Sequence, residues 1–248
     1  MKKIIFLAAL AAITSCQLLD IEAGNNVSVD TVIDVEDFDT ISDRCSMNIV
    51  YTQTAGEPSV VLTCDENLVD YYRIWVEDGT LIADTRNNVI LRPKVRPVLT
   101  VSSPVINGVS VSGSGSCQAK GSLVSEGEFV LKVSGSGSIV TEGTVECQDF
   151  SSSVSGSGSV NVSGILAETA KFKGSGSGAT RVDLLTAESI SATLSGSGGV
   201  TLVCKDAGDI EVSISGSGSV RLSGNARSLN SHSSGSGRVN SKNLTLGR

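Results

Sequence analysis

The sequence predicts an all-β fold: a parallel β-solenoid (β-helix) of about 20 residues per coil, with an irregular capping region at its N-terminal end. Three observations carry this expectation. The first is a phrase, apolar-Ser-Gly-Ser-Gly in its fullest form, that recurs seven times, from Val111, Val133, Val154, Phe172, Leu194, Ile214 and Ser233. Its first glycines are Gly113, Gly135, Gly156, Gly174, Gly196, Gly216 and Gly235, giving steps of 22, 21, 18, 22, 20 and 19 residues. The second is alternation on either side of the phrase. The third is composition, 40% hydrophobic but 4% aromatic, which suits small, regular β layers.

Each copy reads as strand rather than as a flexible Gly/Ser linker, because β-branched residues stay in phase on both sides of it. In the second copy Val133, Gly135, Gly137 and Ile139 share one face, and Ser134, Ser136 and Ser138 share the other. Apolar residues and glycines are therefore expected inward and serines outward. An inward glycine in a strand costs about 0.5–1 kcal/mol relative to alanine. The glycines are expected where the coil is thin or bent and a Cβ would meet the opposite wall. Outward serines stacked at a coil spacing of about 4.8 Å would form a flat, neutral stripe roughly 30 Å long. Ser134, Ser136, Ser155, Ser157, Ser195, Ser197, Ser215 and Ser217 are the candidate binding face.

The chain divides into residues 1–15 as a secretory signal, 16–30 as a tether, 31–110 as irregular β coils and cap, and 111–248 as the regular solenoid. Residues 31–248 are expected to form one continuous domain. Met1-Lys2-Lys3 is a basic start, and Ile4 to Ile13 is an apolar run too short to span a bilayer. Ile13-Thr14-Ser15-Cys16 resembles the lipobox of bacterial lipoproteins, which implies an acylated Cys16 as the mature N-terminus and attachment to a membrane. Gln17, where an Asp would favour inner-membrane retention, points to an outer-membrane lipoprotein. Its periplasmic or surface orientation is left open.

Between these regions, Val32–Val35, Met47–Thr52, Ser59–Thr63, Tyr72–Val76, Leu81–Asp84 and Val98–Val101 read as strands. Asp78-Gly79 suits a tight hairpin, and Asp65 would cap one helical turn starting at Glu66. These strands are expected to form the first coils and to cover the open solenoid end. Arg86, Arg92, Lys94 and Arg96 form a basic cluster, expected as a solvated loop beside Pro93 and Pro97.

At a net charge of −7 and without a basic face, the chain is not expected to bind nucleic acid or to be held electrostatically by anionic lipid. Setting Cys16 aside leaves five cysteines, an odd number. Cys45 and Cys64 are the candidate disulfide, and Cys117, at inward parity, is expected as a small core residue. No cofactor and no metal site is expected, since Cys/His zinc spacing is absent. The lone His232 lies among serines near the end; with serines throughout the chain, one beside it does not point to a hydrolytic triad, and His232 is expected on the surface of the last coil. Glu126, Glu128, Glu142 and Glu146 are the carboxylates to check for glycosidase geometry.

Phe38-Asp39-Thr40-Ile41, Val60-Val61-Leu62 with Asp65-Glu66-Asn67-Leu68, Asp78-Gly79-Thr80-Leu81 and the repeated phrases together resemble the autotransporter-adhesin head GIN domain family. The resemblance covers roughly Val35 to Val239. It implies an exported β-solenoid and carries no catalytic residues. Ser116, Ser138, Ser159 and Ser219 stand where many members have Asp, so an acidic, ion-binding ladder is not expected. The functional expectation is a non-enzymatic, lipid-anchored envelope binding module, adhesin-like, presenting its serine face to a glycan or to another envelope protein. The alternatives are a structural or self-associating scaffold, including a homodimer, and a polysaccharide-active β-helix enzyme.

Overall fold

A computed structural model describes residues 20–247. The signal segment and Cys16 lie outside the described residues. The chain winds into stacked parallel coils with three walls. Wall A runs, in spatial order, through Thr80–Thr85, Thr40–Asp43, Gly108–Gly113, Glu128–Gly135 and Asp149–Gly156. It continues through residues 169–176, 189–196, 209–216 and 228–234. Wall B runs through Val98–Ser103, Asn48–Gln53, Ser116–Lys120 and Ser138–Glu146, then through residues 159–162, 179–182, 199–202 and 219–222 to Arg238–Leu246. Wall C is short and begins at Leu123–Val124, which pairs with Val145 and Glu146. Within the later coils the strand assignment is unbroken from wall B to wall A, as in Ser159–Gly176 and Ala179–Gly196.

Alternation places the core. Along Glu128–Gly135 the residues Phe129, Leu131 and Val133 are buried while Glu128, Lys132 and Ser134 are exposed. Inward residues stack in columns from coil to coil. Phe129 stacks on Phe150 with ring centroids 6.3 Å apart, and Phe150 meets Phe172 at 5.8 Å. Such offset aromatic pairs add to the stabilisation their burial already provides.

The repeated phrase is a corner rather than one straight strand. Wall A ends at Gly135, the chain bends at Ser136, and wall B starts at Ser138. Gly135 and Gly156 have φ of 113° and 109°, a region that side chains rarely tolerate. The close approach is also real but of a different kind. A Cβ on Gly156 would lie 2.5 Å from the carbonyl oxygen of Gly135 in the preceding coil, not against the opposite wall. That carbonyl accepts two bonds, from the N–H groups of Ser157 and Gly158, each at 2.9 Å. The corner backbone is thus tied along the stack, and bare glycine lets the carbonyl reach both donors.

The fourth copy corrects the spacing. Gly176, not Gly174, pairs with Gly156 and with Gly196, so the steps from Gly113 onward become 22, 21, 20, 20, 20 and 19. Gly174 instead occupies the inward column between Val154 and Leu194. A Cβ there would meet only the Leu194 Cδ2, at 2.5 Å. Phe172 takes the next inward position, between Ser152 and Ala192. One large ring among small neighbours keeps the layer volume constant.

The N-terminal region closes the stack, but not in chain order. Thr40–Asp43 and Asn48–Gln53 form the coil beneath the first glycine corner, and Thr80–Thr85 with Val98–Ser103 lie outside them. Antiparallel strands finish each wall: Tyr72–Glu77 on wall A, and Ser59–Asp65 followed by Ser28–Ile33 on wall B. The Asp78-Gly79 hairpin is present with both φ values positive, 49° and 72°, as a tight two-residue turn requires. The expected tether to residue 30 is shorter than the sequence suggests, because Asp20–Ala23 pairs with Val89–Arg92 and Ser28–Ile33 joins wall B.

Asp65 precedes a 3₁₀ turn over Glu66–Tyr71 but makes no capping bond to it. Its buried carboxylate accepts instead from the backbone N–H groups of Asn26 (2.6 Å), Lys94 (2.8 Å) and Val95 (2.9 Å). Burial alone would raise the Asp65 pKa, but these three bonds hold it below the usual carboxylate value.

Candidate ligand-binding face

Outward positions on wall A form columns in register. Ser112, Ser134, Ser155, Ser175, Ser195, Ser215 and Ser234 are successive partners, and all but the half-buried Ser112 are exposed. Of the eight predicted serines, Ser134, Ser155, Ser195 and Ser215 belong to this column. Ser136, Ser157, Ser197 and Ser217 are also exposed, but they sit in the bends, across the glycine column. The eight therefore line a ridge along the corner, and the flat part of the surface is wall A beside it.

The sequence reading missed the rest of that wall. Two residues before each phrase serine stands the column Ser110, Lys132, Ser153, Lys173, Thr193, Ser213 and His232, and two further back stand Val130, Ser151, Lys171, Ser191, Glu211 and Asn230. The available signal was parity: in Ser151-Ser152-Ser153 only Ser152 is fully buried. Ser175 and Ser177 were missed because the fourth copy was set in the wrong register. The wall is mostly hydroxyl, with the ammonium groups of Lys132, Lys171 and Lys173 set among the serines.

The wall is notched at one point. Gly108, without a side chain, stands between Thr40 and Val130. Thr40, Ser42, Thr80, Ser110, Glu128 and Lys132 surround it and line a cleft of about 390 Å³. The cleft offers hydroxyls, one ammonium and one carboxylate, a set suited to hydrogen bonding with a polyol.

His232 is exposed in the last coil, beside Ser213. Glu126, Glu128, Glu142 and Glu146 are all exposed; Glu126 and Glu128 line one cleft of about 590 Å³ with Gln53 and Asn107, and Glu142 and Glu146 lie outside it on Ser138–Glu146. Cys117 is buried and inward, and burial pushes its thiol up to about 12. Cys45 and Cys64, the expected disulfide pair, are free thiols in the structure. Burial, with Asp65 beside it, pushes Cys64 up to about 11, too high for a thiolate nucleophile at neutral pH. Among the described residues no group of His, Cys, Asp and Glu is placed to hold a metal ion, and no helix is long and apolar enough to cross a membrane.

A three-walled parallel solenoid with one hydroxyl-lined wall defines the class: a β-solenoid module. The chain belongs to the family described as "Putative auto-transporter adhesin, head GIN domain", whose model matches residues 37–207. Solved structures share the fold. A protein of Parabacteroides distasonis described as a putative lipid binding protein is 24% identical, with a TM-score of 0.75 over 89% of this chain and 99% of that one. A putative adhesin from Bacteroides fragilis is 22% identical, with a TM-score of 0.76 over 88% and 99%. A putative adhesin from Parabacteroides merdae is 19% identical, with a TM-score of 0.67 over 89% and 98%. No curated protein matches the sequence.

Proposed function

We propose that the chain is a lipid-anchored, non-enzymatic module of the bacterial cell envelope that binds glycan through wall A and its serine corner. The observation that carries this reading is the unbroken register of seven outward serines, flanked by Ser110, Ser153, Thr193 and Ser213. A flat array of small hydroxyls suits many weak contacts to a repeating polyol, whose avidity grows with the number engaged. Family membership and the adhesin descriptions of two of these neighbours support the reading. Cys16, at the end of a lipobox-like segment, is the anchor, and the outer membrane is its site. Retention on immobilised host and cell-wall glycans tests the proposal. The native chain is expected to be retained, and the variant with Ser134, Ser155, Ser195 and Ser215 all changed to Ala to lose at least tenfold in affinity, at about 0.5–1.5 kcal/mol per hydrogen bond. Equal retention of the two, or none of the native chain, would overturn it.

A further inference from the structure

The wall B end of the solenoid carries a small appendage that takes no part in the coils. Asp20–Ala23 and Val89–Arg92 form a separate two-stranded parallel sheet, with Ile21 opposite Ile90 and Ala23 opposite Arg92. On one face Ile21 and Ile90 are 54% and 42% exposed, and Ala23 and Arg92 are exposed beside them. On the other face Glu22, Val89 and Leu91 are half-buried. The chain then runs through Pro93 into Lys94 and Arg96, both exposed. Asp65 fixes this loop through the N–H groups of Lys94 and Val95, and fixes the incoming chain through Asn26. Gly24 donates to the carbonyl of Arg92 at 3.0 Å, closing the junction. Arg86 lies over the Tyr71 ring at 5.5 Å.

We infer that this appendage is a membrane-docking foot: Ile21 and Ile90 enter the headgroup boundary while Arg92, Lys94 and Arg96 engage lipid phosphates. The inference rests on the reading of Cys16 as the lipid-bearing residue. Only three residues lie between Cys16 and Asp20, so the four steps reach about 14 Å even when fully extended. An acyl group in the bilayer therefore holds the foot at the headgroup layer. A pair of aliphatic side chains beside a basic loop matches that environment, apolar below and anionic above. The chain's overall negative charge does not oppose this, because charges beyond about 8–10 Å are screened at physiological salt. The acids at the foot are Asp20, exposed, Glu22, half-buried beside Tyr71, Glu66, exposed and bonded by Asn25, and Asp65, buried beneath the loop where its carboxylate is taken up by backbone N–H groups. Arg92, Lys94 and Arg96 are all exposed, whereas the Asp65 charge is buried and already bonded.

Vesicle co-sedimentation of the chain from residue 16 onward, carrying Cys16→Ser, tests the foot without the anchor. It retains the whole described fold. Binding to vesicles of equimolar phosphatidylcholine and phosphatidylglycerol is expected, with little to phosphatidylcholine alone, and it should be lost at about 1 M salt, where the Debye length is about 3 Å. Arg92→Gln, Lys94→Gln and Arg96→Gln should each weaken partition about fivefold, and the triple variant on the order of a hundredfold. Ile21→Asn with Ile90→Asn should weaken it with the salt dependence unchanged. Unfolding midpoints equal to the parent's confirm that these surface changes leave the fold intact. No preference for the anionic vesicles, or full binding by the triple variant, would overturn the foot. The mass of the N-terminal peptide from the exported full chain reports acylation of Cys16 separately, so loss of the anchor and loss of the foot are told apart.

Discussion

The glycine-cornered coils and the coil beneath them turn the same corner by different means. From Val111 to Ser116, and from Asp43 to Asn48, the chain passes from wall A to wall B in the same number of residues, and the two corners are stacked partners. In the repeats the corner is bare backbone, and the carbonyls of Gly113, Gly135, Gly156 and Gly176 are each shared by two N–H groups of the next coil. In the lower coil a buried carboxylate does the work: Asp43 Oδ1 accepts from the N–H groups of Cys45 at 3.0 Å and Met47 at 3.3 Å. Its Oδ2 has no partner and lies under Gly115, where a Cβ would clash with it. A bare corner can be repeated indefinitely, because each copy leaves room for the next. A carboxylate corner cannot, since a second one stacked about 4.8 Å away would place two buried like charges together. The first arrangement builds length and the second seats it on the cap.

The comparison breaks most readily at the glycines. Gly156→Val puts a branched side chain onto the Gly135 carbonyl at a φ of 109° and is expected to cost more than about 4 kcal/mol in urea unfolding. Gly127→Ala, where nothing lies within 4 Å, should stay within about 0.5 kcal/mol of the parent. Phe172→Ala, which empties the ring that fills the layer between Ser152 and Ala192, should cost about 3–4 kcal/mol by the same measurement.

The two structural carboxylates should respond to pH in opposite directions. Burial raises the Asp43 pKa above 3.8, against the lowering effect of its backbone bonds. The unfolded chain therefore ionises first, and the stability present below pH 3.8 is lost as pH rises through the folded pKa. Asp43→Asn should remove that loss, so that the variant gains on the parent as pH rises. The Asp65 pKa is lowered, so its contribution is present above pH 3.8 and is lost as pH falls through the folded pKa. Asp65→Asn should be weaker than the parent at neutral pH and converge with it in acid. Unfolding curves across pH 2 to 7 check both signs. The smallest effect is expected on the binding face, where Ser155→Ala with Ser195→Ala should alter stability by no more than about 0.5 kcal/mol.

Much of the fold was legible because alternation and recurrence are local. Val133, Ile139 and Cys117 were placed inward and Ser134 outward from parity alone, and the Asp78-Gly79 hairpin from its turn residues. What was not legible depends on neighbours distant in the chain. The corner at Ser136 looks like continuous strand, because a bend between two strands keeps the same alternation of burial. The fourth corner was set at Gly174 because Phe172-Lys173-Gly174 imitates the start of the phrase, and only pairing with Gly156 and Gly196 reveals Gly176. The excursion that lays Thr80–Thr85 outside Thr40–Asp43 leaves no local mark. Asp65 looked like a helix cap because its three partners, Asn26, Lys94 and Val95, are far from it in sequence. The serine ridge was visible in the phrase, but the flat wall beside it was hidden between repeats.

Everything in this fold depends on the register that stacks one bare corner on the next, and two alanine substitutions in the fourth copy test it most directly. At Gly176 the new methyl would stand 2.5 Å from the Gly156 carbonyl oxygen with φ at 112°, whereas at Gly174 it would meet only the movable end of Leu194. Urea unfolding should show Gly176→Ala losing about 2 kcal/mol or more and Gly174→Ala about 1 kcal/mol or less. Equal losses, or a larger loss at Gly174, would contradict the stacked corner and the register of every coil built on it.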